Sequence, residues 1–258
     1  MLNNPGTIMP RDFTLERYRE LCRALQQDYI FYTVYGYLLE KPNSNVVVMR
    51  HDVDRNIMNS LRMAEVEHDL GICSTYYFRY PFTFQPDIIR KILSMGHEIG
   101  YHYEVLSKTK GDFAKAISLF QSEILEFRKI CEINTICMHG GPLSKFDNRD
   151  VWKQFSFIEF GVFGEAYLSL SDLTYFSDTG RNWAGHNNMR DHLRQGTSFQ
   201  PCTTTNELIY YLKQNQFARL YLTVHPERWN ESGFGWLASY CIDAAVSMGK
   251  KILVIIYR

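Results

Sequence analysis

The sequence has no excess of either charge, because 28 lysine and arginine residues balance 28 aspartate and glutamate residues. A neutral chain exerts no long-range attraction on a polyanion, so nucleic acid is not expected as a partner. No apolar run is long enough to cross a bilayer, and stable membrane insertion is therefore not expected either. The first residues lack a basic stretch followed by an apolar one, so we expect a cytoplasmic location.

Paired cysteine patterns are also missing. The six cysteines are scattered and never form Cys-x-x-Cys. Disulfide pairing and buried reduced thiols are the two interpretations, and a leaderless chain of this size favours reduced thiols. No internal repeat or low-complexity tract is present. With 45% hydrophobic residues the chain can bury one substantial core, so we expect residues 1–258 to form a single domain.

Strand and helix patterns alternate along the whole chain. Helices are predicted over residues 13–27, 56–69, 86–96, 112–132 and 208–214, with a last helix that begins near Trp236 and ends at Gly249. Strands are predicted over residues 46–49, 72–78, 99–103, 135–138, 219–224 and 252–257, with weak ones near Phe155 and Thr174. This alternation predicts an α/β fold in which about seven parallel strands form a distorted (β/α) barrel.

Polar clusters follow four of the predicted strands. In barrels of this kind the C-terminal ends of the strands converge at one mouth, where the chemistry takes place. Each cluster alone is a weak signal, but four together predict a site at that mouth. The clusters are Arg50-His51-Asp52-Val53-Asp54, Gly100-Tyr101-His102-Tyr103-Glu104, His139-Gly140-Gly141-Pro142 and His225-Pro226.

Asp52 and Asp54 are two residues apart, so in an extended chain they point to the same side. Two carboxylates that face one point repel each other unless a cation or a proton compensates, and a divalent metal is the usual solution. The alternative is that Asp54 caps the helix predicted from Asn56. The adjoining His51 and the other clusters favour a metal.

His102 shares one side of its strand with Glu104, and an imidazole beside carboxylates suits zinc and related ions. The alternative is an ordinary hydrogen-bonded core histidine. His97 is predicted to be of that ordinary kind, because it lies at the strand entrance, away from the mouth.

His139 precedes Gly140 and Gly141, whose backbone amides can approach a ligand closely and hold an oxyanion. A turn with a surface histidine is the alternative. His225 follows an apolar strand, and a histidine there can act as a general acid because its ordinary pKa is close to neutrality. A helix-capping or solvent-facing histidine is the alternative for this position.

The motifs Arg-His-Asp-Val-Asp, Gly-His-Glu-Ile-Gly-Tyr-His and Leu-Thr-Val-His-Pro, in this order, resemble those of the polysaccharide deacetylases of carbohydrate esterase family four. The resemblance spans roughly Val46 to the C-terminus. It implies a distorted α/β barrel with zinc or a similar divalent metal at its mouth. It also implies that Asp52 is the base, that Asp54 and His102 bind the metal, and that His225 is the acid.

The sequence departs from the family where a second metal-binding histidine is usual, four residues after the first, because that position is Leu106. His139 and Glu104 are the candidates for the third ligand, and His139 is preferred. The histidine in the first motif and the His-Gly-Gly-Pro segment resemble a cytoplasmic branch associated with surface-polysaccharide biosynthesis, such as that of lipopolysaccharide O-antigen.

The resulting expectation is metal-dependent hydrolysis of an acetyl or formyl amide on an amino sugar. Side chains in the irregular region after residue 143 are predicted to bind this substrate, namely Asp178, Arg181, Asn182 and Trp183. Further candidates are Tyr80, Phe82 and Trp229. For each aromatic side chain the alternative is packing in the core. A non-catalytic glycan-binding protein is a rival that Leu106 supports. A metal-dependent phosphoesterase is a second rival, disfavoured because no phosphate cradle is evident.

Overall fold

The computed structural model of the protein describes residues 11–141, 144–185, 202–231 and 233–256, so Pro142 of the third cluster lies outside the described residues. The described chain forms one parallel sheet of eight strands. The strands are β1 (Ile30–Tyr32), β2 (Val46–Val53), β3 (Thr75–Phe78), β4 (Glu98–Tyr103), β5 (Thr135–Met138), β6 (Gly164–Glu165), β7 (Thr174–Ser177) and β8 (Arg219–Val224).

The strands pair in the order β6-β5-β4-β3-β2-β8-β7, and β1 pairs with the first half of β2. Strands β2 to β6 therefore lie side by side in chain order, as in a (β/α) barrel, and β8 closes back onto β2. Among the described residues β6 and β7 are the ends of this path, so the barrel is curled but open between them. The predicted distorted barrel of about seven parallel strands is confirmed.

Helices surround the sheet. They are α1 (Leu15–Gln26), α2 (Val34–Glu40), α3 (Ile57–Asp69), α4 (Pro86–Ser94), α5 (Val105–Lys108), α6 (Phe113–Arg128), α7 (Thr205–Asn215) and α8 (Phe234–Ile256). Local chemistry explains where several begin, since side-chain oxygens at an N-cap satisfy free amides of the first turn. Thr14 caps α1, Asp112 caps α6, and Thr204 with Glu207 forms a capping box at α7.

Strand β2 is buried along its whole length and packs on both faces. Val46 and Val48 belong to one buried apolar cluster, and Val47 and Met49 to the other. The strand continues four residues beyond the predicted end, because residues 50–53 pair with β3. The prediction stopped early because an apolar pattern ends at Arg50, whereas the backbone ladder does not depend on apolar side chains.

Two predicted strands are wrong. The region near Phe155 lies between two 3₁₀ turns, Asn148–Lys153 and Phe157–Phe160. The strand predicted over residues 252–257 is helical through Ile256, as the final part of α8; Tyr257 lies outside the described residues. The expected stop at Gly249 fails because an interior glycine costs a helix only about 1 kcal/mol, and here the helix continues through it. No helix in the described part of the chain is both long enough and apolar enough to cross a membrane.

Candidate active site

The ends of β2, β4 and β5 bring three predicted metal ligands together at the mouth of the barrel. Oδ1 of Asp54 lies 3.4 Å from Nε2 of His102 and 3.2 Å from Nε2 of His139. The two imidazole rings are nearly perpendicular, with centroids 5.2 Å apart. Three residues that are far apart in sequence thus direct one oxygen and two nitrogens at the same small volume.

Both imidazoles are held so that Nε2 faces this volume. Nδ1 of His102 donates to the carbonyl oxygen of Cys137 at 3.0 Å, and Nδ1 of His139 donates to Oε2 of Glu104 at 3.1 Å. A ring nitrogen that donates to an acceptor fixes the tautomer and leaves the lone pair on the other nitrogen. Each Nε2 is therefore available as a ligand.

Asp54 carries the strongest sign of a missing partner. Its Oδ1 is buried and makes no hydrogen bond among the described residues. Burial raises the pKa of Asp54, but the neighbouring His139 and His102 outweigh that effect and lower the pKa well below its ordinary value. The helix-cap alternative is excluded, because the N-cap of α3 is Asn56. Two imidazole nitrogens and one such carboxylate, with a position left open for water, are the ligand set of a catalytic zinc ion.

Glu104 lies behind His139 and supports it. Nη2 of Arg79 donates to both Glu104 oxygens at 2.9 Å, while the second carboxylate oxygen also accepts from His139. Burial raises the pKa of Glu104, but His139 and Arg79 outweigh it and lower the pKa to about 2. Both Glu104 oxygens are thus engaged in orienting its neighbours. This geometry favours His139 over Glu104 as third ligand, and Leu106 is buried in the core.

Asp52 lies one pleat deeper in the barrel and is 2% exposed. Nη2 of Arg50 donates to its Oδ2 at 3.1 Å. The same guanidinium donates to the hydroxyl of Tyr221 at 2.7 Å and lies 4.1 Å from the ring centroid of Tyr167. The thiol of Cys137 donates to Oδ1 of Asp52 at 3.9 Å. The Asp52 carboxylate is therefore held by a buried guanidinium and a thiol.

His225 is positioned by a buried carboxylate. Its Nδ1 donates to Oδ1 of Asp178 at 2.6 Å, and Asp178 also accepts from the His225 amide, Arg228 and Trp229. Burial and Arg228 lower the pKa of His225, but Asp178 outweighs them and raises it to about 9. The imidazole is therefore protonated at neutral pH, as a general acid must be.

The substrate-binding roles of Asp178, Arg181 and Trp183 stay predictions, and the structure gives each of these side chains partners within the fold. All three side chains are buried and hold the fold together. Asp178 is saturated by the bonds around His225. Arg181 pairs with Asp243 of α8 at 2.7 Å, and Trp183 is 1% exposed in the core, where its indole donates to Thr205. Sequence reasoning placed them at the surface because the irregular region gave no sign that α8 packs over it.

The other side chains predicted to bind the sugar differ in their exposure. Trp229 is fully buried, whereas Phe82 is 64% exposed. The guanidinium carbon of Arg79 lies 4.7 Å from the centroid of the Phe82 ring, which places this exposed aromatic beside the residues that support His139. Asn182 is engaged locally, since its side-chain amide donates to the carbonyl oxygen of Gly180.

The His-Gly-Gly turn is held by hydrogen bonds to the carbonyl oxygen of His139. The amide of Gly141 donates to the carbonyl oxygen of His139 at 3.2 Å, and its predicted oxyanion role stays a prediction. Asn148 donates to the same oxygen at 2.8 Å and fixes the turn from the other side. The role of Gly140 as an oxyanion donor stays a prediction.

Sequence reasoning missed Glu227, two residues after His225. It is 5% exposed, its Oε1 lies 3.6 Å from Arg55, and its Oε2 has no hydrogen-bond partner among the described residues. Burial and the charge of Asp54 raise its pKa to about 7. The only signal in the sequence was an acidic residue in the turn after His225-Pro226, which many turns share.

Comparison with known proteins gives distant structural likeness only. No family model and no curated sequence match the chain. A family 4 carbohydrate esterase from Bacillus anthracis aligns with a TM-score of 0.43 and 14% identity, over 88% of this chain and 85% of that one. A mutant of a CE4 family pseudoenzyme with restored enzymatic activity aligns with a TM-score of 0.44 and 10% identity, over 81% of this chain and 65% of that one. The roles argued below therefore rest on the geometry of this chain.

Proposed function

We propose that the protein is a metal-dependent hydrolase that removes an acetyl or formyl group from the nitrogen of an amino sugar. The observation that carries the proposal is the convergence of Asp54, His102 and His139 on one volume, with an orphaned Asp54 oxygen at its centre. Carboxylates and a histidine that suit the remaining proton transfers lie in the same barrel mouth.

Asp54, His102 and His139 would hold the ion, and two nitrogens with one oxygen favour zinc among divalent metals. A zinc ion bound there would lower the pKa of a bound water toward neutrality and polarise the acyl oxygen. Glu104 and Arg79 would keep His139 in its ligating orientation.

The proton transfers are assigned to Asp52 and His225. Asp52 accepts the proton of the attacking water, and the hydrogen bond from Arg50 holds that carboxylate in place. His225, protonated at neutral pH through its bond to Asp178, donates a proton to the leaving amine. The Gly140 amide is a candidate to stabilise the oxyanion.

The sugar substrate rests on the motif resemblance and on Phe82, whose exposed ring beside the site offers a sugar a flat apolar surface. The resemblance extends the proposal to a cytoplasmic step of surface-polysaccharide or O-antigen biosynthesis.

Acyl release from N-acetyl and N-formyl amino sugars, with and without added zinc, tests the proposal. We expect release that requires the metal and is lost in Asp54→Ala together with bound zinc, measured by atomic emission. Asp87→Asn is the matched control, because its side chain is 94% exposed. Metal-independent release, or full activity of Asp54→Ala, would contradict the proposal.

A glycan-binding protein without turnover is the second candidate. Leu106 supports it, because a usual metal-binding histidine is missing at this position. Binding of N-acyl amino sugars by the zinc-loaded protein, with no acid released from any of them, would favour this function.

A further inference from the structure

A second set of potential ligands lies one pleat below the first. Asp52, His102 and Cys137 come from β2, β4 and β5, and none is more than 2% exposed. One ligand-type atom of each lies within 4.8 Å of those of the other two. His102 belongs to both sets, whereas Asp52 and Cys137 belong only to the inner one.

The two sets differ in chemical character. The outer set offers two imidazoles and one carboxylate, and the inner set replaces one imidazole by the thiol of Cys137. Thiolate is a soft ligand that selects ions such as Cd²⁺ over hard ions such as Mg²⁺. When the thiol gives up its proton to solvent on binding, Cys137 adds a thiolate charge to the carboxylate charge of Asp52, which Arg50 already partners. Arg50 donates to Oδ2 of Asp52, which leaves Oδ1 directed at the thiol.

We infer that Asp52, His102 and Cys137 form an inner cation site for divalent ions softer than Zn²⁺, such as Cd²⁺, and that filling this site inactivates the protein. His102 has one available ring nitrogen, because its Nδ1 donates to the Cys137 carbonyl oxygen. An ion in the inner site therefore removes a ligand from the outer site and also engages the proposed base. The loss of activity rests on the proposed function, whereas the binding does not.

Titration of the purified protein with Cd²⁺ tests the binding, read as near-ultraviolet absorption from thiolate-to-cadmium charge transfer. We expect the absorption to saturate at one ion per chain in the wild type and to be absent in Cys137→Ser. Cys73→Ser is the matched control and keeps the signal, because Cys73 is exposed and outside the cluster. Asp52→Asn retains every thiol and is expected to weaken Cd²⁺ binding at least tenfold.

No such absorption in the wild type, or an unchanged absorption in Cys137→Ser, would overturn the inner site, as would unchanged Cd²⁺ affinity in Asp52→Asn. Acyl release by the zinc-loaded protein separates this inference from the proposed function. Release without a thiolate signal removes only the inner site. A thiolate signal without release under any metal removes the proposed function and leaves the inner site in place.

Discussion

Strand β2 carries a network of histidine and carboxylate groups on each of its two faces. On the outer face His51 meets Glu67 of α3 at 2.8 Å, and Glu67 also accepts from Tyr18, Ser74 and Tyr76. On the inner face, at the mouth, Oδ1 of Asp54 faces two imidazoles and has no hydrogen-bond partner among the described residues. Both networks are built from the same residue types, within four positions of one strand.

The two networks differ in whether the oxygens of their carboxylates have hydrogen-bond partners. Each oxygen of Glu67 accepts hydrogen bonds, so this carboxylate is satisfied without a ligand, and among the described residues of the outer network the atom without a partner is Nδ1 of His51. The Asp54 oxygen has no such partner among the described residues and faces two imidazole nitrogens, so the proposed cation would complete the inner network. A histidine next to an aspartate does not by itself indicate a site, whereas an orphaned buried oxygen that faces two imidazole nitrogens is a more specific sign.

The largest effect is a loss of turnover, which we expect from Asp52→Asn on the inner face. An amide cannot accept the proton of the attacking water, so turnover should fall by about 10²- to 10⁴-fold. Bound zinc should be retained, because Asp52 is outside the proposed ligand set. Steady-state rates and metal content check this, and full activity would remove Asp52 from the base role.

The second largest effect is a loss of stability when a substitution breaks the outer network. Glu67→Ala leaves His51, Tyr76 and Ser74 without their buried acceptor, and we expect the free energy of unfolding to fall by about 3–5 kcal/mol. Zinc affinity should not change. Chemical denaturation gives the first quantity and metal titration the second, with the exposed Glu65→Ala on the same helix as control.

The same glutamate gives the outer network a pH dependence. Burial raises the pKa of Glu67, but His51 outweighs it and lowers the pKa from 4.5 to about 2. A lowered pKa means that the stabilisation is fully present above about pH 4.5 and is lost as the pH falls toward 2. The stability difference between the wild type and Glu67→Ala should therefore narrow over that interval. A constant difference would show that Glu67 does not act through its charge.

The third effect is a loss of zinc affinity when the hydrogen bonds that orient His139 are weakened. Glu104→Gln removes the charged partner of His139 and the paired oxygens that bind Arg79, so zinc affinity should fall by about 10- to 100-fold. Isothermal titration measures the affinity, and Glu132→Gln at an exposed position is the control. A larger loss, equal to that of His139→Ala, would point to Glu104 as a ligand itself.

The smallest effect is a shift of the pH profile. Asp178→Asn removes the charge that holds the pKa of His225 at about 9, while burial and Arg228 still lower it. The acid form of His225 is then lost at a lower pH, so the alkaline limb of the rate profile should move to lower pH. Rates of acyl release across neutral to alkaline pH measure this. An unmoved limb would mean that His225 is not the acid.

The architecture could be predicted because strand and helix periodicities alternate so regularly, and the strand ends brought four polar clusters to one mouth. His51 shows the limit of that reasoning. Its neighbours Asp52 and Asp54 face the mouth, but side chains alternate along a strand, so His51 points outward to Glu67. The alternation was visible in the sequence, and counting His51 as support for a metal overlooked it.

Long-range packing explains what the sequence could not show. Asp178, Arg181 and Trp183 have the composition of a sugar surface, and only the position of α8 and the core around Trp229 reveals that they are buried. The choice between His139 and Glu104 also depended on distances, since both residue types bind zinc. The Arg79 guanidinium favours His139, because it donates to both Glu104 oxygens from a part of the chain that no motif marks.

The most direct measurement is the position of bound zinc, from anomalous scattering at the zinc edge in crystals of the zinc-loaded protein. We expect one strong peak within bonding distance of Asp54 Oδ1, His102 Nε2 and His139 Nε2, with Glu104 outside that distance. A protein that binds zinc elsewhere, or binds none while these three side chains keep their places, would contradict this expectation.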